Sequence, residues 1–170
     1  MTNHTLLIMR HAKSDWDSKA QNDFDRPLNQ RGQKDASKMG AWLKDQNIIP
    51  ERIVSSPALR TKQTILDVCA KLEKDESEII WDARIYEARL DDLLQVISEH
   101  GKNVKSMLIT GHNPGLDHLV NHLSIGRPQY TDTGKLMTTA AIAMLDFGED
   151  VINGKRQSAK LVQLVRPKEI

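Results

Sequence analysis

Strand-like apolar runs and segments of helical spacing follow one another along most of this chain, and that alternation limits the possible folds more than any other feature. It is the pattern of a mainly parallel sheet with helices laid on both faces. TLLIMR, residues 5–10, reads as a buried strand, and a polar loop from Lys13 to Pro27 follows it. A helix is predicted from about Asn29 to Gln46, with Ala36, Met39, Gly40 and Leu43 on one face. RIVSS is a short second strand. SSPALRTKQTILDVCAKL predicts a helix with Ser56 as its cap, Pro57 in its first turn, and Ala58, Ile65, Cys69 and Leu72 on its buried face. EIIW suggests a third strand. LDDLLQVISEHG suggests a helix carrying Leu90, Leu93, Leu94 and Ile97, closed by Gly101. SMLITGHNPG repeats the opening device, an apolar strand running into a polar loop, ahead of a helix bearing Leu116, Leu119, Val120 and Leu123. TTAAIAMLDF and SAKLVQLVRP have no helix between them, so they are expected to pair as an edge hairpin joined by a polar surface loop, Asp146 to Gln157. The expected fold class is α/β, a three-layer α/β/α arrangement with a mainly parallel central sheet and an antiparallel edge hairpin.

With 170 residues, 39% of them hydrophobic, one domain over 1–170 is expected. Lys plus Arg is 24 and Asp plus Glu is 23, so no bulk field exists to hold nucleic acid or an anionic membrane, and any anion site must be local. The longest apolar run, Ala140 to Leu145, is far below the roughly 18 residues a membrane span needs, and Leu6 to Met9 is too brief for a signal-peptide core. A cytoplasmic protein is expected. Cys69 is the only cysteine, which rules out an intramolecular disulfide and a thiolate zinc site. Its helical spacing makes it a small core residue.

Ligands of open α/β sheets bind beyond the carboxyl ends of the strands, where loops converge. That rule selects RHAKS after the first strand, SSPALR after the second and TGHNPG after the later one. Together they supply Arg10, His11, Arg60 and His112. Two guanidiniums and two imidazoles suit a phosphoryl group: arginine forks bind its oxygens, and a neutral imidazole offers a nitrogen nucleophile for phosphorus. Singly, each residue has a plainer reading. Arg-His after a strand is a common dipeptide. Arg60 falls opposite Ala58 and Ile65 by periodicity and fits a solvated arginine, although first-turn side chains lean back toward the strand ends. GHNPG also reads as a simple turn, with His112 incidental.

The conjunction of these motifs resembles the histidine phosphatase superfamily, the phosphoglycerate mutase-like proteins, and within it the SixA-type phosphohistidine phosphatases. The signature Arg-His-Gly appears as Arg10, His11 and Ala12, the next element as SSPALRTKQT, and the second histidine in TGHNPG. DRPLNQRGQKDA and IYEA resemble further family segments, and the likeness runs from about Leu6 to Phe147. The resemblance implies a histidine phosphatase in which His11 attacks phosphorus, a phosphohistidine enzyme forms, and water hydrolyses it. It implies that Arg10, Arg60 and His112 hold the equatorial oxygens, with no metal and no cofactor. Ser14 falls where relatives place a hydroxyl near the phosphate, or it merely satisfies its loop. Glu87 matches the acid that protonates a leaving oxygen; the alternative is a surface glutamate paired with Arg84 or Arg89. Mutases and sugar bisphosphatases of the superfamily carry insertions over the pocket that this chain is too short to contain. An open site of this kind suits a phosphorylated protein substrate bearing phosphohistidine. A small phosphate ester is the alternative substrate, and a non-catalytic phosphate-binding module the alternative of another class. Departures include Ala12 for the commonest glycine, Asp17 where mutase-like relatives follow the tryptophan with asparagine, and Lys13 where many carry an acid. His118 and His122, four apart, have zinc spacing but face away from the apolar stripe and read as solvated.

Overall fold

The computed structural model describes residues 3–170. Its main elements are β1 (Thr5–Arg10), α1 (Gln30–Asp45), β2 (Arg52–Ser55), α2 (Leu59–Leu72), β3 (Ile79–Trp81), α3 (Leu90–His100), β4 (Ser106–Gly111), α4 (Gly115–Leu123), β5 (Ile142–Asp146) and β6 (Lys160–Val165). They form one six-stranded sheet in the order β3-β2-β4-β1-β5-β6. β1 to β4 run parallel, and β5 and β6 are antiparallel to their neighbours.

The apolar run of β1 explains the layering. Successive strand side chains point to opposite faces, so Leu6 and Ile8 enter one core with residues of α3 and α4, while Leu7 and Met9 enter the other with residues of α1 and α2. All four are fully buried, each contributing about 2 kcal/mol of apolar transfer. α1 and α2 pack closely at Gly40, where a Cβ would stand 2.9 Å from the Val68 Cα. Cys69 sits in this second core, and burial pushes its thiol up to about 11.

Register brings the functional strand ends level. Arg10 of β1 lies opposite Gly111 of β4, and Ser55 of β2 lies opposite Thr110. The three loops selected from the sequence therefore leave the sheet at one rim. The three-layer α/β expectation, with its antiparallel hairpin at one side of the sheet, agrees with this architecture, and two local expectations need correction. α2 begins at Leu59 with Ala58 in the capping position and no side-chain cap, rather than at Ser56. Ser56 Oγ instead accepts from Ala58 N–H in a turn ahead of the helix and meets His112 Nε2, so it is spent before α2 begins. The loop from Asp146 to Gln157 is not wholly superficial, because Phe147 and Ile152 are buried in the α3–α4 core. β5 and β6 pair antiparallel as the expected hairpin, with β6 at the sheet edge opposite β3.

Candidate active site

β1 delivers Arg10 and His11 to the rim on fixed backbone. The His11 N–H donates to the Gly111 carbonyl at 3.0 Å, and the His11 carbonyl accepts from Ala140 N–H at 3.0 Å. The imidazole is 7% exposed, with Nδ1 2.7 Å from the Ala12 carbonyl oxygen. A carbonyl only accepts, so Nδ1 carries the proton and Nε2 keeps its lone pair. Ala12 N–H donates to Thr64 Oγ1, whose hydroxyl donates to the Arg60 carbonyl, clamping this loop to α2. Ala12 is fully buried and is not among the residues with positive φ.

His112 follows β4, its ring centroid 5.3 Å from that of His11. Its Nε2 lies 2.8 Å from Ser56 Oγ, and its buried Nδ1 has no partner among the described residues. Ser56 thus anchors the second imidazole instead of capping α2. Arg60 is buried in the first turn of α2, not solvated. Its Nη1 and Nη2 donate to the Asp23 carbonyl and carboxylate, at 2.8 and 3.0 Å. Arg10 donates through Nη1 to the Met137 carbonyl at 3.0 Å. Asp117, whose charge bears on Arg10, accepts from Met137 N–H.

The loop read from sequence as merely polar adds Trp16, Asp23 and Arg26 to the rim or its approach, and the segment before α3 adds Tyr86. Arg26 is buried, donates to Asp23 Oδ1 at 2.9 Å and to the Ser14 hydroxyl, and lies 3.7 Å from the centroid of the Trp16 ring. Tyr86 donates its hydroxyl to Asp23 Oδ2 at 2.7 Å and stands edge-on to His112, 5.4 Å between centroids. Burial alone would raise the Asp23 carboxyl, but bonds from Arg26, Tyr86 and Arg60 hold it well below the usual carboxylate range. One carboxylate therefore orients two guanidiniums and a phenol. A weak signal for this exists in sequence: Asp23 and Arg26 stand three apart ahead of Pro27, and Arg26 lies within DRPLNQRGQKDA, one of the segments that carried the family likeness.

Burial pushes the His11 imidazole down to about 3; its bond to Ala12 opposes this, and the charges of His112, Arg10 and Arg60 add to it. His112 falls to about 3 for the same primary reason, with Arg60 adding and Asp23 opposing. Both rings are neutral at physiological pH. Three guanidiniums, each with a buried Nε lacking a partner among the described residues, and two neutral imidazoles thus line one rim. This donor set fits a tetrahedral oxyanion.

Ser14 is buried, but its hydroxyl engages Arg26. Glu87 is exposed, with left-handed backbone at φ 55°, and forms no hydrogen bond or ion pair among the described residues. Neither pairing expected for it occurs, since Arg84 is taken by Asp82 and Glu99. Asp17 is exposed and forms no side-chain ion pair among the described residues. His118 is exposed, whereas His122 is partly buried and reaches the Gly154 carbonyl through Nε2, so only the first is solvated. Among the described residues no group of three or more His, Cys, Asp or Glu is placed to hold a metal ion.

A family model described as the histidine phosphatase superfamily (branch 1) matches residues 6–104. The chain belongs to the histidine phosphatase superfamily. The match ends before His112, which the longer pairwise similarities include. Phosphohistidine phosphatase SixA of Escherichia coli (strain K12) is 32% identical over 152 residues, 85% of this chain and 86% of that protein. The protein histidine phosphatase SixA, solved in complex with tungstate, superposes with a TM-score of 0.80 at 27% identity, covering 97% of this chain and 98% of the other. An uncharacterized chloroplastic protein of Arabidopsis thaliana is 30% identical over 127 residues, a match that spans 58% of that protein's length. Membership in this superfamily, with a SixA relative aligned along most of the chain, makes the protein a histidine phosphatase.

Proposed function

We propose that this protein hydrolyses phosphohistidine on a signalling or phosphotransfer protein through a phosphohistidine intermediate at His11, without a metal. The observation that carries the reading is the state of His11: neutral, with Nδ1 tied to Ala12 and Nε2 free at a rim of guanidiniums. Arg10, Arg60 and His112 hold the equatorial oxygens while His11 Nε2 attacks in line, and Arg26 with Ser14 closes the approach side. As the transferring group flattens, these fixed donors meet its charge without reorganising. The leaving imidazole of the substrate accepts a proton near neutral pH, so it needs no dedicated acid. Water then attacks the phosphorylated His11 and releases phosphate. The phosphohistidine substrates named for the SixA relatives support this choice. One domain over residues 1–170, working in the cytoplasm, is part of the same reading.

The test measures specificity constants on a phosphohistidine protein and on an aryl phosphate, with chelator present. The phosphohistidine protein should be favoured by about tenfold or more. Reversed preference assigns a small phosphate ester instead. Rapid quench with labelled substrate should trap an acid-labile, base-stable phosphoenzyme; a pure phosphate-binding module would trap none.

For an ester the departing oxygen is far more basic, and the proton donor assigned to it is Glu87. Glu87→Gln is expected to lower kcat on an alkyl phosphate by about 100-fold and leave phosphohistidine hydrolysis nearly unchanged. Equal losses on both substrates, or none on the ester, would remove Glu87 from the mechanism.

A further inference from the structure

Beside the phosphoryl rim lies a second concavity of about 420 Å³ that, Arg10 apart, the chemistry above does not use. Its walls come from the loop after β1, the first turn of α1, the 131–139 segment and the turn at Pro167–Glu169. Arg10, Lys13, Arg31, Lys135, Arg166 and Lys168 line it against the single carboxylate Glu169, a charge of +5 on a chain whose net charge is +1. Asp132 lies on the same 131–139 segment but does not line the cleft.

These cations differ in what already occupies them. Arg166 is structural, bonded to the carbonyls of Leu136 and Gln129 and to Glu169. Arg31 pairs loosely with Asp35 at 3.5 Å. Lys13, Lys135 and Lys168 form no side-chain hydrogen bond or ion pair among the described residues, and the last two are exposed. Arg10 belongs both to this cleft and to the His11 rim, so the cleft opens where the phosphoryl site ends. On the same side, Thr138 and Thr139 lead into Ala140, whose N–H bonds the His11 carbonyl.

We propose that this cleft docks acidic side chains flanking the phosphorylated residue of a protein substrate. The proposal rests on the phosphoprotein reading above and names the feature of the substrate that is recognised. A small phosphate would call for converging buried guanidinium forks, as at the His11 rim. Here the free charges are lysine ammoniums on separate elements, point charges that suit several carboxylates spaced along a protein surface. No aromatic ring lines the cleft, which removes the stacking platform a nucleic-acid strand needs.

The experiment compares two labelled peptides carrying a non-hydrolysable phosphoryl-triazole in place of phosphohistidine, one flanked by glutamates and one by glutamines. Fluorescence anisotropy on the wild-type chain should show about tenfold tighter binding of the glutamate peptide at low salt, with the preference fading at high salt. Lys135→Glu combined with Lys168→Glu, both at exposed positions, should erase the preference and leave aryl phosphate turnover unchanged. Equal affinities in the wild type, or a preference that survives the double reversal, would overturn the proposal. Tripolyphosphate binding that the reversal abolishes, with both peptides held alike, would overturn it in favour of a small-polyanion site. The peptide-binding readout involves no turnover, so a failure to hydrolyse phosphohistidine would count against the proposed function and leave the docking result to stand or fall alone.

Discussion

His11→Ala is expected to reduce phosphatase turnover by about 10⁴-fold or more while the folded chain persists. The size follows from the absence of a substitute at the rim. His112, the nearest imidazole, has its Nε2 committed to Ser56 and its Nδ1 buried, so neither nitrogen replaces the free Nε2 of His11. Arg10 and Arg60 remain, and they bind an oxyanion without forming a bond to phosphorus. Oxyanion binding should therefore outlast activity, which separates loss of the nucleophile from loss of the site. Steady-state turnover, thermal unfolding and tungstate affinity on His11→Ala and His11→Asn check this. Activity within tenfold of wild type in either variant would remove His11 as the attacking group.

Acidification from pH 7.5 to 5 is expected to lower the unfolding free energy by about 4 kcal/mol through His11 and His112 alone. Both imidazoles are held near 3 in the fold, chiefly by burial, whereas an unfolded histidine titrates near 6.5. Between those values the unfolded chain binds protons that the native chain does not, so stability falls as pH falls. By pH 5 each ring contributes about 2 kcal/mol to that loss. The depressed Asp23 carboxyl acts in a lower window, losing its stabilisation only as pH drops below the ordinary carboxylate range. Urea unfolding at several pH values, on wild type and on His112→Gln, measures the effect. The variant should lose roughly half of the pH dependence; a flat wild-type profile between pH 7.5 and 5 would contradict neutral buried imidazoles.

Electrostatics also explain why so basic a rim is stable. Arg26 bonds Asp23 Oδ1, while Arg60 and Tyr86 share Oδ2. The arrangement offsets part of the repulsion between cations while holding both forks in place. The same carboxylate links the loop before α1, the first turn of α2 and the segment before α3. The rim is therefore a tertiary product, built from chain segments that share no local periodicity.

The amino-acid sequence by itself determined the layers, the strand ends and the placement of Arg10, His11, Arg60 and His112, because hydrophobic period is a local property and parallel strands put their loops at one edge. Even Arg60, which periodicity set opposite the buried face, was recoverable from the backward lean of first-turn side chains. Only the tertiary structure decided that Ser56 steadies His112 rather than capping a helix, and that Asp23, Arg26 and Tyr86 complete the rim. It also decided that Glu87 is exposed with no partner among the described residues, and that Lys13, Lys135 and Lys168 border a common cleft. Those outcomes depend on closing loops between residues tens of positions apart. Such contacts are selected by the packed sheet and helices around them, and leave no repeating trace in the chain.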